Sequence, residues 1–369
     1  MAHEAQTRYS NLVLAKLRAE LVLKDGVVFN NDYEGSPTAG AVKIPKRDTE
    51  VVVSDYDKAN GISATSGSTA YDTLMIDKDV AINEVIDGFD SASVPDNLVA
   101  DRLDSGTYSL ALRVDSDGGN VLVAGSTAKG VSTLTKDNIY STIVGIRKDM
   151  NKAKIPNDGK RYLLVLPDAM EMVLNAPEFI SASSLGDDVK QTGAIGKIAG
   201  FLVIEWNDDT ANLQMLAGHP KFATRAAEFM VPVHLQDLNA SGKFIGAAAV
   251  QGRRVYGHKV LRSLAIRSVY SPFVIALTVA VGTSAAGDTK VTATVSTAGN
   301  TLAYKKNPAS HVAYGTTSTV YSGTSMTSGT AKVISSCTEG DIIEVAEFDS
   351  NSKCIGVGYV TLKAEDIKA

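Results

Sequence analysis

One stretch, from Arg161 to Trp206, restricts the fold more than any other part of the chain. Residues 161–166 form a short apolar run without a polar break, which predicts a buried strand. The proline that follows suits the first turn of a helix, and we predict that helix over 167–174. A long polar connection runs from Ser181 to Gly196, and 201–204 is a second buried strand. This order indicates a mixed α/β unit with a long loop, and loops of this length are commonly functional.

Size and composition limit the classes of protein to which the chain can belong. A length of 369 residues predicts two or three domains. The net charge of −5 argues against a dedicated nucleic-acid binder. No apolar run approaches the ~20 residues of a membrane span, and no secretory signal is visible at the N-terminus. Without an export signal, we expect Cys337 and Cys354 to be reduced, while a disulfide between them stays an open alternative.

The first 84 residues predict two elements that have little core of their own. Leu14, Leu17 and Leu21 recur at helical spacing, which predicts a short helix. That helix is either a surface element or an arm that lies on a neighbouring subunit. Residues 27–84 alternate apolar and polar around a tip rich in glycine, serine and threonine at 55–70, which predicts a long two-stranded hairpin. Such a hairpin must lean either on its own domain or on another subunit.

A long helix is predicted at about residues 94–117, with Ser93 as its N-cap. The apolar residues on its stripe are Val99, Leu103, Leu110 and Val114. The pair Gly118-Gly119 is expected to end it. Gly106 inside the helix costs ~1 kcal/mol relative to alanine, so we expect a neighbouring element to approach closely there.

Short helices and strands alternate between residues 135 and 271. Thr135 is expected to cap a helix, and a second helix is predicted over 220–229. The first of these helices has an apolar stripe made of Ile139, Ile143, Ile146 and Met150. Strands are predicted over 213–216, 231–233, 244–250, 254–261 and 264–269.

The composition changes after Ser271-Pro272, where lysine and arginine become rare and serine, threonine, glycine and valine dominate. Strands are predicted over 273–281, 290–295, 301–304, 312–314, 331–334, 342–348 and 355–362. Short strands with turn residues between them predict an immunoglobulin-like (Ig-like) β-sandwich. The cysteine pair and tryptophan typical of antibody domains are absent, since Trp206 is the only tryptophan. The strand connections inside the sandwich therefore stay open.

No pattern in the sequence is typical of a catalytic, cofactor-binding or metal-binding site. The histidines lack HxH and HxxxH spacing, and no CxxC occurs. They are His3, His219, His234, His258 and His311. Residues 193–197 resemble a phosphate loop, but Ile198 stands where Ser or Thr would hold magnesium. The acid pairs Asp187-Asp188 and Asp208-Asp209 are expected to be solvated. We predict no enzyme activity, no cofactor and no metal.

Several segments resemble one known family in pattern and order. They are RYLLVLPDAMEMVLNAPEFI at 161–180, GAIGKIAGFLVIEWND at 193–208, and later VYGHKV and AIRSVY. Together they resemble the major capsid proteins of tailed bacteriophages, over residues 2 to about 271. The resemblance implies an α+β fold of the Hong Kong 97 type, followed by the C-terminal all-β Ig-like sandwich.

The resemblance also implies an assignment of the chain to capsid regions. These are an N-terminal arm at 1–26, an extended loop (E-loop) hairpin at 27–84, a peripheral (P) domain at 85–134 with its spine helix at about 94–117, an axial (A) domain at 135–260, a return to the P domain and linker at 261–271, and the sandwich at 272–369.

In function, the resemblance implies a structural subunit that self-assembles into pentamers and hexamers of an icosahedral head around double-stranded DNA. Scaffolding protein and portal are the implied partners, the DNA is enclosed without sequence-specific binding, and no membrane is involved. The sandwich is available to contact the host surface or neighbouring capsomers. The implied location is the virion, assembled in the bacterial cytoplasm. We expect the sandwich on the outside of the shell, where protease would cut near Ser271-Pro272.

Two alternatives remain at this point. One is the shell of an encapsulin-like nanocompartment. The other is a virion or surface binding module that acts through its Ig-like domain. Deletion of 272–369 separates the capsid from the binding module, because shells would still form in the first case and activity would disappear in the second.

Overall fold

A computed structural model describes residue 18 and the ranges 21–33, 40–46, 50–51, 53–62, 67, 69–93, 98–177, 196–239 and 243–369. The chain divides into two compact units. The first unit comprises residues 1–125 and 219–263, and the second comprises 126–218 and 264–369. Each unit is therefore built from two separate parts of the sequence.

The first unit contains a helix packed on an antiparallel sheet, and a hairpin. Its strands are β1 (Ala41–Lys46), β2 (Ala70–Met75), β3 (Lys78–Asp87), β9 (Ala223–Asp237) and β10 (Ala247–Val260), and its helices are α1 (Gly88–Ser93) and α2 (Leu98–Gly125). The sheet has the order β3-β10-β9, while β1 and β2 pair only with each other. A 3-10 turn at Pro220–Phe222 precedes β9.

The second unit begins with a six-stranded mixed sheet of order β4-β11-β8-β5-β7-β6. Its strands are β4 (Thr127–Gly130), β5 (Tyr162–Val165), β6 (Lys197–Ile198), β7 (Phe201–Glu205), β8 (Leu213–Gly218) and β11 (Arg267–Tyr270). Helices α3 (Ile139–Lys152) and α4 (Pro167–Leu174) share a buried apolar core with this sheet. A 3-10 turn at Ser263–Ala265 lies just before β11.

The C-terminal part of the second unit is all-β apart from one short helix, α5 (Ser318–Tyr321), and a 3-10 turn at Ala364–Asp366. Its strands are β12 (Phe273–Val274), β13 (Thr278–Val281), β14 (Thr289–Thr292), β15 (Thr301–Lys306), β16 (Thr324–Met326), β17 (Lys332–Ile334), β18 (Ile342–Phe348) and β19 (Cys354–Thr361). They form sheets of order β12-β19-β18-β15-β16 and β13-β14-β17. Residues of both sheets, such as Val291 and Val345, share one buried core. The Ig-like assignment of this sandwich stays a prediction.

Local sequence signals located the centre of the second unit correctly. The strand predicted at 161–166 is β5, and the helix predicted at 167–174 is α4, with its proline in the first turn. The predicted stripe of α3 is buried along its whole length. Thr135, however, does not cap α3. That helix begins at Ile139, because the carbonyl of Thr135 accepts from the amides of Asn138 and Ile139 and so closes a separate turn.

The long helix α2 continues past the glycine pair that was expected to end it. It runs to Gly125, and Gly118 and Gly119 are buried within it. A methyl group on Gly118 would lie 3.1 Å from the Phe29 ring and 3.3 Å from His258 Nε2. The glycines therefore allow two other segments to approach the helix, rather than providing a C-cap. Residues 94–97, where the helix was expected to begin, lie outside the described residues.

The helix predicted over 220–229 is wrong. After the turn at Pro220–Phe222, the chain becomes the 15-residue strand β9. That strand pairs antiparallel with β10, from Ala223 opposite Val260 to Asp237 opposite Ala248. Backbone pairing over this length outweighs local helical spacing. The strands predicted separately at 244–250 and 254–261 are one strand, β10.

The hairpin and the C-terminal strands differ in detail from the predictions. The second half of the predicted hairpin is not one strand, since β2 pairs with β1 and β3 pairs with β10. Residues 219–260 belong to the first compact unit, and the assignment of the chain to capsid regions stays a prediction. Residues 273–281 form two strands, and 312–314 are not a strand. Leu14 and Leu17 of the predicted N-terminal helix lie outside the described residues, as do 181–195 of the long loop.

Candidate assembly surface

The base of the β1–β2 hairpin is packed on its own unit. Ile44, Leu74 and Ile76 are buried in one cluster with Ala226 of β9. Lys259 of β10 forms an ion pair with Asp72 and donates to the carbonyl of Thr73 at 2.6 Å. This part of the hairpin therefore follows the alternative in which it folds onto its own domain. The other side of β2 is different, because Tyr71 and Met75 are exposed.

The tip of the hairpin exposes apolar side chains. Val51 is 87% exposed and Val53 is 94% exposed, and neither lies in a strand. Tyr56 and Ile62 are also exposed. We call these four residues the tip patch. Several large apolar side chains in one exposed segment are typical of a surface that another protein covers.

A local turn fixes the backbone within the tip patch. The amide of Gly61 donates to the carbonyl of Asp57 at 2.8 Å. The Asp57 carboxylate accepts from the amide of Ala59 and from the side chain of Asn60. These hydrogen bonds hold the pKa of Asp57 below its ordinary value. The charged carboxylate therefore shapes the turn that connects Tyr56 to Ile62.

A polar cluster, which we call the arm anchor, fastens residues 22–30 to the first unit. Arg225 on β9 donates to the carbonyl of Leu23 at 3.0 Å and pairs with Asp25 at 3.1 Å. Asp115 on α2 accepts from the amide of Leu23 at 3.1 Å. Asn30 exchanges backbone hydrogen bonds with Ala223 and Arg225. The chain that precedes residue 22 therefore starts from a fixed point on the unit.

His258 is the half-buried centre of the arm anchor. Its Nε2 accepts from Arg225 Nε at 2.9 Å, so the neutral ring carries its proton on Nδ1. Nδ1 is buried without a hydrogen-bond partner. Burial, and then the nearby positive charge of Arg225, lower the pKa of His258 to about 3. The ring is neutral at physiological pH and acts as an acceptor that orients Arg225.

A second exposed apolar surface lies at one end of the three-stranded sheet. Asp87 at the end of β3 is paired with Ala247 at the start of β10. Phe89, which follows Asp87, is 79% exposed, and Ile245, which precedes Ala247, is 86% exposed. We call these two residues the sheet-end patch. Neither residue belongs to a periodic pattern in the sequence, because Phe89 lies in the short helix α1 and Ile245 lies in a turn.

Among the described residues, no group of three or more His, Cys, Asp or Glu side chains could hold a metal ion. The histidines within those ranges have different surroundings. His219 accepts from the amide of Lys221, His234 is exposed, and His311 contacts the buried carboxylate of Glu344 at 2.8 Å. Asp208 caps a turn at Thr210, while His3 and Asp187-Asp188 lie outside the described residues. Cys337 and Cys354 are both free and buried.

In the part of the chain that the structure describes, no helix is both long and apolar enough to pass through a lipid bilayer.

No family model matches the chain, and no curated protein matches it. Several solved structures do match the chain. A structure from Mycobacterium phage Che8 is 26% identical, with 72% of this chain and 96% of that chain covered and a TM-score of 0.63. The capsid of cyanophage P-SCSP1u is 12% identical, with 72% of this chain and 92% of that chain covered and a TM-score of 0.60. The mature capsid of bacteriophage PhiM1 is also 12% identical, with 72% and 92% covered and a TM-score of 0.56.

The chain has the fold of tailed-phage capsid proteins. The predicted α+β fold is thereby confirmed, and nearly the whole length of each solved chain is matched. The share of this chain that is matched, 72%, is close to the extent of the predicted resemblance over residues 2–271. The comparisons leave the Ig-like character of the sandwich untested.

The arm anchor was missed at the sequence level, because its members are distant in sequence and share no motif. Leu23 and Arg225 are 202 residues apart. The tip patch could have been found. Its two valines lie beside a segment rich in glycine, serine and threonine, and apolar side chains next to such a segment indicate contact with a partner.

Proposed function

We propose that this chain is the major capsid protein of a tailed bacteriophage. Copies assemble as pentamers and hexamers into the icosahedral head that encloses double-stranded DNA. The observation that supports this most strongly is the match of one fold to nearly the full length of several solved phage capsid chains. The chain therefore works by assembly, and we expect no catalytic role.

The exposed surfaces of the first unit suit contacts between unlike faces of neighbouring copies. The tip patch lies on an extended hairpin whose base is held by its own unit, so the tip is available to another subunit. Contacts between unlike faces generate closed rings when the rotation between copies closes. Permanent interfaces of this kind bury on the order of 2,000 Å² or more. We expect the tip patch to lie within such an interface.

The remaining partners follow from the same role. Scaffolding protein and portal are the expected partners during assembly in the bacterial cytoplasm, and the virion is the final location. The net charge of −5 suits a shell that contains DNA without gripping it, because tight phosphate contacts require clustered Lys and Arg. No observation favours the nanocompartment shell or the binding module over the capsid.

The test is assembly of the purified protein, with its scaffolding protein if required, followed by electron microscopy. Wild-type protein is expected to form closed shells. The double variant Val51→Asp/Val53→Asp is expected to fold normally, because exposed substitutions usually change stability by less than about 0.5 kcal/mol. It is expected to lose at least about ten-fold in assembled fraction, since an interface charge without a partner is costly to bury.

The matched control is the double variant Val274→Asp/Val320→Asp, which places the same two charges on exposed valines of the sandwich. This variant is expected to assemble like the wild type. Absence of closed shells from the wild-type protein would overturn the proposed function. Normal assembly of the tip double variant would overturn only the role of the tip patch.

A further inference from the structure

The junction between the six-stranded sheet and the sandwich is buried. Ser271 is buried, and so is Pro272, although both were expected to form an accessible linker. The Ser271 hydroxyl accepts from the amide of Leu134 at 3.1 Å, and the Ser271 amide donates to the carbonyl of Asn212 at 3.1 Å. The strand that leads into this junction, β11, is an interior strand of the sheet. The chain therefore enters the sandwich without a flexible segment.

A second connection lies beside the edge strand β4. The amide of Val131 donates to the carbonyl of Tyr270 at 2.9 Å, and the carbonyl of Val131 accepts from the amide of Tyr314 at 3.0 Å. The next residue, Gly315, donates to the carbonyl of Cys354 on β19 at 2.8 Å. Backbone hydrogen bonds thus run continuously from β11 across Val131 into the sandwich.

Side chains reinforce the same contact. The rings of Tyr270 and Tyr314 stack with centroids 5.2 Å apart and an angle of 16° between their planes. The Tyr314 side chain is also hydrogen-bonded to Asn212. At Gly130 the two parts are so close that a methyl group would overlap the Tyr314 carbonyl oxygen and lie 3.0 Å from its carbonyl carbon. Glycine is therefore required at this position for the contact to form.

We infer that Gly130, Val131, Tyr270 and Tyr314 form a clamp that holds the sandwich in one fixed orientation on the six-stranded sheet. The sandwich is then an integral part of the second unit and does not move independently of the sheet. The inference does not depend on shell assembly.

The test compares full-length wild type with Gly130→Val by limited proteolysis and mass spectrometry, and by hydrogen exchange of residues 127–131 and 270–275. The wild type is expected to resist cleavage by chymotrypsin after Tyr270 and Phe273, the aromatic residues on either side of 271–272, and to show slow exchange. In Gly130→Val, cleavage there is expected to be at least about ten-fold faster, because opening of the junction becomes frequent. Gly196→Val is the matched control, since that glycine has open space around it and no positive φ.

A second variant covers the case in which Gly130→Val does not fold. Tyr314→Ala removes the stacked ring and the hydrogen bond to Asn212 but keeps the backbone, and it is expected to accelerate exchange at 127–131 and 270–275. Two results would overturn the inference. One is rapid cleavage of the wild type after Tyr270 or Phe273. The other is cleavage and exchange in the clamp variants no faster than in Gly196→Val.

Discussion

At the scale of single residues, His258 makes the stability of the first unit depend on pH, because its ring is neutral in the folded protein. The ring accepts from Arg225 and is half-buried, and its pKa in the folded protein is about 3 against an ordinary value of 6.5. Asp117 favours protonation, while Arg225 and Lys78 oppose it. Between pH 6.5 and about 3 the unfolded chain therefore binds a proton at this position that the folded chain does not bind.

This difference predicts that stability falls on acidification. Since the unfolded state binds more protons in this window, the free energy of unfolding decreases as the pH falls, by up to about 1.4 kcal/mol per pH unit from this residue. The variant His258→Asn retains an acceptor for Arg225 without the titration. Urea unfolding at pH 7 and pH 5 is expected to show a smaller loss of stability for this variant than for the wild type.

The exposed His234 provides the control for this measurement. His234→Asn is expected to keep the pH dependence of the wild type, because His234 is exposed and lies outside the arm anchor. An identical pH dependence in wild type and His258→Asn would contradict the assignment. The carboxylates are the same in all three proteins, so their contribution largely cancels in the comparison.

At the scale of secondary structure, Gly106 in α2 illustrates a sequence prediction that the structure confirms. A close neighbour was expected at this glycine, and a methyl group there would lie 2.6 Å from Ile82 Cδ1 and 3.3 Å from Val233 Cγ1. We predict that Gly106→Val destabilises the protein by about 1–3 kcal/mol, because an extra side chain between helix and sheet forces both apart. Chemical denaturation monitored by circular dichroism measures the change.

A helical glycine with more room gives the opposite expectation. At Gly145 in α3, the nearest atom to an added methyl group is Lys129 Nζ at 3.5 Å, an ordinary contact. Gly145→Ala is expected to stabilise the protein by about 0.5–1 kcal/mol, since alanine restricts the unfolded chain and suits a helix. Equal effects at the two glycines would show that helix propensity, rather than packing, decides both.

The elements predicted correctly are those that local signals define. The proline at the start of α4 and the buried stripe of α3 act within a few residues of themselves. The long strand β9 was predicted in part as a helix because its partner β10 lies beyond a turn. Helix α2 continues past Gly118, where it lies against Phe29. Phe29 is 89 positions away in the sequence, so no local pattern reports this contact. Long-range pairing and packing account for both errors.

At the scale of the whole molecule, the buried junction changes how the position of the sandwich in a shell can be tested. Cleavage at Ser271-Pro272 does not report that position, because both residues are buried in the subunit itself. Deletion of 272–369 is also a poor test, since it would uncover Tyr270 and the end of β4. A label on an exposed side chain of the sandwich avoids both difficulties.

Val320 offers such a site, because it is 73% exposed and lies in the short helix α5. We predict that Val320→Cys in assembled particles reacts fully with a maleimide carried on a polymer too large to enter the shell. The natural cysteines provide a low background. Burial raises the pKa of Cys354 to about 12 and also raises that of Cys337, and only the thiolate reacts rapidly.

Wild-type particles are the matched control and are expected to remain unlabelled. Mass spectrometry of the subunit gives the labelled fraction before and after disruption of the particles. Labelling that appears only after disruption would place the sandwich inside the shell or within a contact between subunits. Labelling of intact particles would place the sandwich on the outside of the shell. Its orientation would then be set by the six-stranded sheet of the same unit.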